Sequence, residues 1–124
     1  MRTRSALVLV VVAAILSLAR GSVAEDRLRI DVTPRISQAP AQVRIRARVT
    51  PNAENRALRV VADSGDFFRS SLLMLDGADA ALVNEMSFKN LPGGEYEVTV
   101  TLLDAEGHAT TVDRRTITVM EGGR

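Results

Sequence analysis

The sequence predicts an all-β protein, an antiparallel sandwich of about seven strands that follows an N-terminal leader. Apolar residues recur at every second position through most of the chain after residue 25, and clusters of Gly, Pro, Asn and Asp separate the apolar runs at short intervals. Alternation with a period of two is typical of strands that bury one face. The 124 residues, 46% of them hydrophobic, have room for one folded domain.

Residues 1–24 have the features of a secretory signal peptide. Two arginines precede an apolar run that begins at Ala6, and Ser22 and Ala24 place small residues at positions −3 and −1 relative to a cut before Glu25. The alternative is a retained membrane anchor. We favour cleavage because Arg20 ends the apolar run well short of the roughly 20 residues that span a bilayer.

The mature chain expected from this cut, residues 25–124, is one sandwich domain located in the periplasm or outside the cell, with no stable membrane span. The leader holds three of the 16 basic residues and none of the 15 acidic ones, so the mature domain carries a net charge of about −2. A nucleic-acid partner is not expected, because such domains present a basic surface. The chain has no cysteine and therefore no disulfide or thiolate. Nearly all basic residues are arginine, which indicates a GC-rich bacterial gene.

The alternation defines the strands. It is clearest in VRIRARV, residues 43–49, and in YEVTVTL, residues 96–102, where apolar and polar side chains change places at each step. Turn sequences such as PNAEN at 51–55 and LPGG at 91–94 lie between the runs. The other predicted strands are Leu28–Val32, Leu58–Ala62, Phe67–Leu75, Met86–Leu91 and Thr110–Val119, the last with an irregularity at Asp113–Arg115.

Two connections have distinct signals. ADAALVNEM, residues 78–86, is compatible with a strand or with two helical turns capped by Asp76 or Asp79, because alanine and leucine favour helix. LLDAEGHATT, residues 102–111, predicts a hairpin in which Asp104 begins a tight turn and Gly107 supplies a left-handed residue.

The stretch NLPGGEYEV indicates how the two sheets connect. Leu91 closes the end of one strand, a Pro-Gly-Gly turn reverses the chain, and Tyr96 opens the next strand. A ring that faces the core at this position can bond its hydroxyl to the backbone just upstream, an arrangement known as a tyrosine corner.

This stretch resembles the crossing between strands E and F of fibronectin type III and other immunoglobulin-like modules, with Leu91 and Tyr96 in the plug and corner roles. Similar sequence motifs occur in the carboxypeptidase-regulatory-like and transthyretin-like sandwiches of bacterial exported proteins. The cysteines and the tryptophan of true immunoglobulin domains are missing here. Either resemblance implies an immunoglobulin-like sandwich that acts without catalysis.

The residues that enzymes use are scarce. His108 is the only histidine and Lys89 the only lysine, so no nucleophile has an evident base, and zinc or copper would lack ligands. We therefore expect no enzymatic activity, no cofactor and no metal site. An alternative is a calcium- or carbohydrate-binding accessory module of an exported enzyme system, because DSGD at 63–66 and DGAD at 76–79 are acidic turns that offer oxygen ligands.

Two features suggest recognition of another molecule. Phe67 and Phe68 are adjacent in a predicted strand, so if one faces the core the other faces outward, where it can anchor a partner beside Arg69. The alternative is that a bulge or a second layer covers both rings. These three residues form the predicted partner-binding site, and the expected partner is a protein of the envelope or the extracellular space. Three arginines alternate with the apolar residues of the strand at 43–49, and we call them the arginine row: Arg44, Arg46 and Arg48. This row would bind an acidic polymer or lipid head groups, or it would pair with Glu85 or nearby acids as an ordinary solvated face.

Overall fold

The computed structural model describes residues 27–122, which form eight strands and one turn of 3-10 helix at Gly77–Asp79. The expected leader and its cleavage site lie outside the described residues. The strands are β1 (Leu28–Thr33), β2 (Ile36–Gln38), β3 (Ala41–Val49), β4 (Ala57–Asp63), β5 (Phe68–Met74), β6 (Val83–Leu91), β7 (Gly94–Leu103) and β8 (Ala109–Met120). Within this range, no helix has the length and apolar character needed to cross a membrane.

The strands form a sandwich of two sheets. One sheet has the order β1-β3-β6 and the other has the order β2-β8-β7-β4-β5. All neighbouring strands run antiparallel except β2, which pairs with β8 in parallel. The predicted all-β sandwich is therefore confirmed, and β5 forms one margin of the larger sheet.

The core lies between the sheets and follows the predicted alternation. In β3 every second residue is buried, and in β7 the buried positions include Tyr96, Val98 and Val100. Full burial of one such side chain stabilises the fold by about 1.5–3 kcal/mol. The largest buried side chains from both sheets belong to one cluster, namely Tyr96, Leu28, Ile30, Ile45, Leu58, Leu91 and Ile117.

The predicted tyrosine corner is present between β6 and β7. Tyr96 is fully buried, and its hydroxyl donates a hydrogen bond of 2.6 Å to the carbonyl of Pro92. Leu91 is also fully buried. A Cβ atom at Gly94 would lie 3.1 Å from the Cβ of Ser64 and 3.7 Å from the Tyr96 ring, so glycine at this position lets the backbone approach both groups.

Two predictions about local structure are corrected. The strand β2 is missing from the predicted strands because three residues between two prolines are too few to show a period. A second correction concerns the irregularity expected at Asp113–Arg115, where β7 and β8 instead pair without interruption. The register shift lies nearer the hairpin, between Leu102 and Leu103. Asp113 occupies a half-buried position in a regular strand, and its carboxylate is satisfied there because it accepts the backbone N–H of Ile30 on β1.

Residues 78–86, for which the sequence is compatible with a helix or a strand, contain part of each. The helical portion is limited to the 3-10 turn at Gly77–Asp79, and the chain extends from Val83 onward as β6. Pairing with β3, which begins at Val83 opposite Arg48, overrides the helical preference of alanine and leucine. The predicted hairpin is confirmed, with Gly107 at φ 80° and its N–H bonded to the carbonyl of Asp104 at 3.0 Å.

Candidate functional site

Strand β5 presents an unpaired edge and an apolar surface at the same place. Its register with β4 is continuous, from Ala57 opposite Met74 to Asp63 opposite Phe68. No strand among the described residues pairs with its other side. Such an edge offers backbone N–H and C=O groups to another chain.

The side chains of β5 alternate between the two faces of the sheet. We call the four that face away from the core the β5 outer row: Phe68, Ser70, Leu72 and Met74. The three large apolar members are 63%, 55% and 69% exposed, respectively. Solvent-exposed apolar side chains are ordinary when scattered, but these three lie on one face of one edge strand and form an apolar strip that only Ser70 interrupts.

The outer row lies beside residues of mixed polarity on β4. Arg59 is the register partner of Leu72, and Asp63 is the register partner of Phe68; both are exposed. The other two partners are the apolar residues Val61 and Ala57. Charge therefore flanks two of the three apolar side chains on the side of β4, whereas the side of the free edge is open. This arrangement favours a contact made along the edge rather than across the whole sheet.

The structure separates the three residues of the predicted partner-binding site. Phe67 packs against the core, with its ring edge-on to Tyr96 at a centroid distance of 6.4 Å. Arg69 lies over the Phe67 ring at 5.1 Å, and its guanidinium donates to the carbonyl of Lys89 on β6. Phe68 alone faces outward. The prediction that the adjacent phenylalanines face opposite sides is confirmed, but Arg69 lies on the side of Phe67.

Arg69 has a structural role at this margin of the sandwich. Its side chain reaches from β5 in one sheet to Lys89 on β6 in the other, and it covers a partly buried aromatic ring on the way. An arginine that stacks on an aromatic face while donating to a carbonyl links the two sheets where the core is open. A change at Arg69 therefore tests the closure of the sandwich as well as any contact with a partner.

Leu72 and Met74 are the members of the site that sequence reasoning missed. In FRSSLLM every position except 69 to 71 is apolar, so alternation could not show which of Leu72 and Leu73 faces out. The available signal was parity, because a strand that places Phe68 outward also places positions 72 and 74 outward.

The two acidic turns do not converge on one ion. DSGD lies before β5 and DGAD lies after it, so a strand of seven residues, roughly 23 Å long, separates them. The Asp63 carboxylate accepts the N–H of Gly65 at 2.8 Å, and the N–H of Asp79 donates to the carbonyl of Asp76 at 3.0 Å. The first contact explains Asp63 as a turn-forming residue, whereas the second joins two backbone groups and involves neither carboxylate of the DGAD turn.

The hairpin tip contains a cluster that the sequence analysis did not consider as a ligand set. Oxygen and nitrogen atoms of Asp104, Glu106 and His108 lie within 4.8 Å of one another, a spacing that could hold a cation. The Asp104 carboxylate already accepts the backbone N–H groups of Glu106 at 3.0 Å and of His108 at 2.8 Å. The turn alone therefore accounts for the position of Asp104.

Two of the three arginines of the arginine row on β3 form exposed ion pairs. Arg44 and Arg46 each form an ion pair with Glu85 on β6, at 3.6 and 3.7 Å. Arg48 has Arg29 as its register partner on β1, so positive charge gathers at that end of the sheet. Exposed ion pairs of this kind contribute little to stability.

Comparisons with known proteins support the fold. No family model matches the chain, and no curated protein shows significant similarity to it. Among solved structures, the fibronectin(III)-like modules of CbhA from Clostridium thermocellum align with a TM-score of 0.50 at 18% identity, covering 77% of this chain and 100% of theirs. A superoxide reductase (neelaredoxin) from Ignicoccus hospitalis aligns with a TM-score of 0.55 at 14% identity, covering 80% of this chain and 86% of its own.

A family 76 glycoside hydrolase from a bovine Bacteroides thetaiotaomicron strain also aligns, with a TM-score of 0.54 at 14% identity over 75% of this chain. The chain spans only 20% of the length of that hydrolase. At these identities the similarity is one of fold. The same sandwich thus occurs in modules and in proteins named for enzymatic activities, so the function must be argued from this chain's own surface.

Proposed function

We propose that this chain is an exported β-sandwich module that acts without catalysis, by contact with a protein in the bacterial envelope or outside the cell. The observation that carries this proposal is the β5 outer row, where Phe68, Leu72 and Met74 stand exposed beside an unpaired strand edge. Edge strands bind extended segments of other proteins through main-chain hydrogen bonds, while alternate side chains give specificity.

The chemistry of the outer row fits a protein partner better than a sugar or calcium. Sugar-binding faces use exposed aromatic rings, and of the four aromatic residues of this chain only Phe68 is exposed. The two acidic turns lie at opposite ends of β5, so their carboxylates do not converge on one ion, and the Asp63 carboxylate accepts a backbone N–H of its own turn. Aromatic residues and methionine are both enriched at protein interfaces, and the outer row has one of each in Phe68 and Met74.

Capture from a native envelope extract tests this proposal. The immobilised protein should retain a defined partner, and Phe68→Ser should abolish that retention while the circular dichroism spectrum stays unchanged. Leu82→Ser is the matched control, because Leu82 is 60% exposed but lies outside β5. Retention by the Phe68 variant would contradict the proposed site.

Two further variants separate the contact from other roles. His108→Ala should capture as the parent does, because the hairpin tip lies outside the β5 edge. Arg69→Ala should lower stability, since it removes the link to Lys89, and its capture should be measured at a temperature where the variant remains folded. Loss of capture by the His108 variant would move the contact to the hairpin.

A further inference from the structure

The hydrogen bonds between β4 and β5 determine which backbone groups of β5 remain free. Ser64 donates its N–H to the carbonyl of Phe67 at 3.0 Å, and Leu75 donates its N–H to the carbonyl of Arg56 at 2.8 Å. Both pairs continue the β4–β5 register. Because hydrogen-bonded and non-bonded pairs alternate in an antiparallel ladder, residues 69, 71 and 73 also bond to β4. The N–H and C=O groups of the four outer-row residues therefore point to the free edge.

We propose that the segment that occupies this edge is β5 of a second copy of this chain, paired antiparallel about a two-fold axis at Ser71. This inference rests on the proposed function in using the same contact strand, and it names the partner. In this register Phe68 lies opposite Met74 of the second copy, and Ser70 lies opposite Leu72. Each outer-row residue then lies opposite an outer-row residue of the second copy. Their edge-facing N–H and C=O groups can form about eight main-chain hydrogen bonds.

Strand length and polarity select this register over its neighbours. A two-fold centred at Ser70 would leave Met74 without a partner in β5 of the second copy, and one centred at Leu72 would leave Phe68 without one, because β5 covers only residues 68 to 74. The register centred at Ser71 instead brings phenylalanine against methionine, a favourable contact of sulfur with an aromatic ring. The one charged residue of β5, Arg69, lies opposite Leu73 and not opposite its own copy. Pairing therefore brings no like charges together along the strand.

The other strand edges of the described chain are less suited to pairing. The β1 edge is blocked at Ile30, whose N–H donates to Asp113 at 3.0 Å. The strand β2 has only three residues. The strand β6 has the charged residues Glu85 and Lys89 on its outward face. Short strands and charged side chains are usual means by which proteins prevent edge pairing. The one charged residue of β5, Arg69, lies on the inner face, where its guanidinium donates to the Lys89 carbonyl, and the outer row has no charge.

The size of the apolar strip sets the expected strength of the dimer. Full covering of Phe68, Leu72 and Met74 would remove roughly 350 Å² per copy, or roughly 700 Å² in all, below the roughly 1,200–2,000 Å² of stable interfaces. The dimer is therefore weak and forms in a concentration-dependent manner. Such an association suits a module that is held at high local concentration in an assembly.

Cysteine cross-linking tests the register directly, because the natural chain has no cysteine. Ser71 would meet its own copy in a non-hydrogen-bonded pair with Cα atoms about 4.5 Å apart, within the range of a disulfide. Ser70→Cys is the matched control, since the two copies of that residue would lie about 8 Å apart. Under mild oxidation most of the Ser71→Cys protein should become a covalent dimer, whereas Ser70→Cys should remain largely monomeric. Equal cross-linking of the two variants would overturn the proposed register.

Sedimentation of the purified protein tests self-association without any other partner. The average mass should rise with concentration toward twice that of the monomer, and Ser70→Pro should abolish this rise. Proline removes an N–H that points to the free edge, so the bonds to β4 and the circular dichroism spectrum should be preserved. A parent protein that remains monomeric at every concentration would overturn the self-pairing. If that monomer still captured an envelope protein through Phe68, the proposed function would stand while this inference failed.

Discussion

The carboxylate of Asp113 on β8 accepts the backbone N–H of Ile30 on β1, with a nitrogen to oxygen distance of 3.0 Å. The two residues belong to different sheets and are separated by 83 positions in the chain. The same carboxylate accepts a hydrogen bond of 2.8 Å from Arg115. A charged side chain thus satisfies a donor at the edge of β1 and joins the two sheets at that margin of the sandwich.

Removal of this carboxylate should destabilise the fold. We expect Asp113→Ala to lower the free energy of unfolding by about 1–3 kcal/mol, because the Ile30 N–H loses a charged acceptor. Urea denaturation measures the change. Glu97→Ala is the control, since Glu97 forms an exposed ion pair with Arg114 at 3.6 Å and should cost less than about 1 kcal/mol. Equal losses for the two variants would show that the Ile30 contact contributes nothing of its own.

The hydroxyl of Tyr96 should stabilise the connection between β6 and β7. Tyr96→Phe keeps the buried ring but leaves the Pro92 carbonyl without its donor, so we expect a loss of about 1–3 kcal/mol in the free energy of unfolding. Thr116→Val removes a hydroxyl from an exposed strand position and should change stability by no more than about 0.5 kcal/mol. A Phe variant as stable as the parent would contradict the role of the hydroxyl.

Stability should decrease at alkaline pH through the same residue. Burial raises the pKa of Tyr96 above its ordinary value of 10.0, although the Ser64 hydroxyl and the charge of Arg69 act in the opposite direction. The folded protein therefore holds the phenol proton more tightly than the unfolded chain does. This contribution to stability is complete below pH 10 and is lost as pH rises from there through the folded pKa.

Urea denaturation between pH 8 and 11 measures this loss, and Tyr96→Phe should lack the portion that tyrosine causes. The chain has one tyrosine and no tryptophan, so tyrosinate absorbance reports Tyr96 alone. Its titration in the folded protein should lie above that in urea. Titration at the same pH in both states would contradict the assigned burial.

The proposed leader, residues 1–24, predicts a defined amino terminus for a protein exported by this route. Mass spectrometry of protein recovered from the periplasm or the medium should find Glu25, or a residue within a few positions of it, at the start of the chain. Ala24→Leu places a large residue at position −1 and should slow this cleavage. An intact Met1 in a membrane fraction would support the anchor instead.

The sandwich, most strand positions and the corner at Tyr96 can be predicted from the amino-acid sequence. These features are local: alternation with a period of two identifies a strand with one buried face, and Pro-Gly-Gly before a tyrosine identifies a tight crossing. The outward position of either Phe67 or Phe68 also followed from parity. Which of them faces outward depends on the register with β4, which the local pattern does not contain.

The candidate site depends on contacts between residues that are distant in the chain. Arg69 faces away from Phe68 because adjacent strand residues alternate, but its contacts with the Lys89 carbonyl on β6 and with the Phe67 ring depend on how the two sheets pack. The free edge of β5 likewise depends on the strand order, and its free N–H groups depend on the phase of the β4–β5 ladder. Local sequence fixes which side chains alternate, whereas long-range pairing decides which of them, and which backbone groups, are left for another chain.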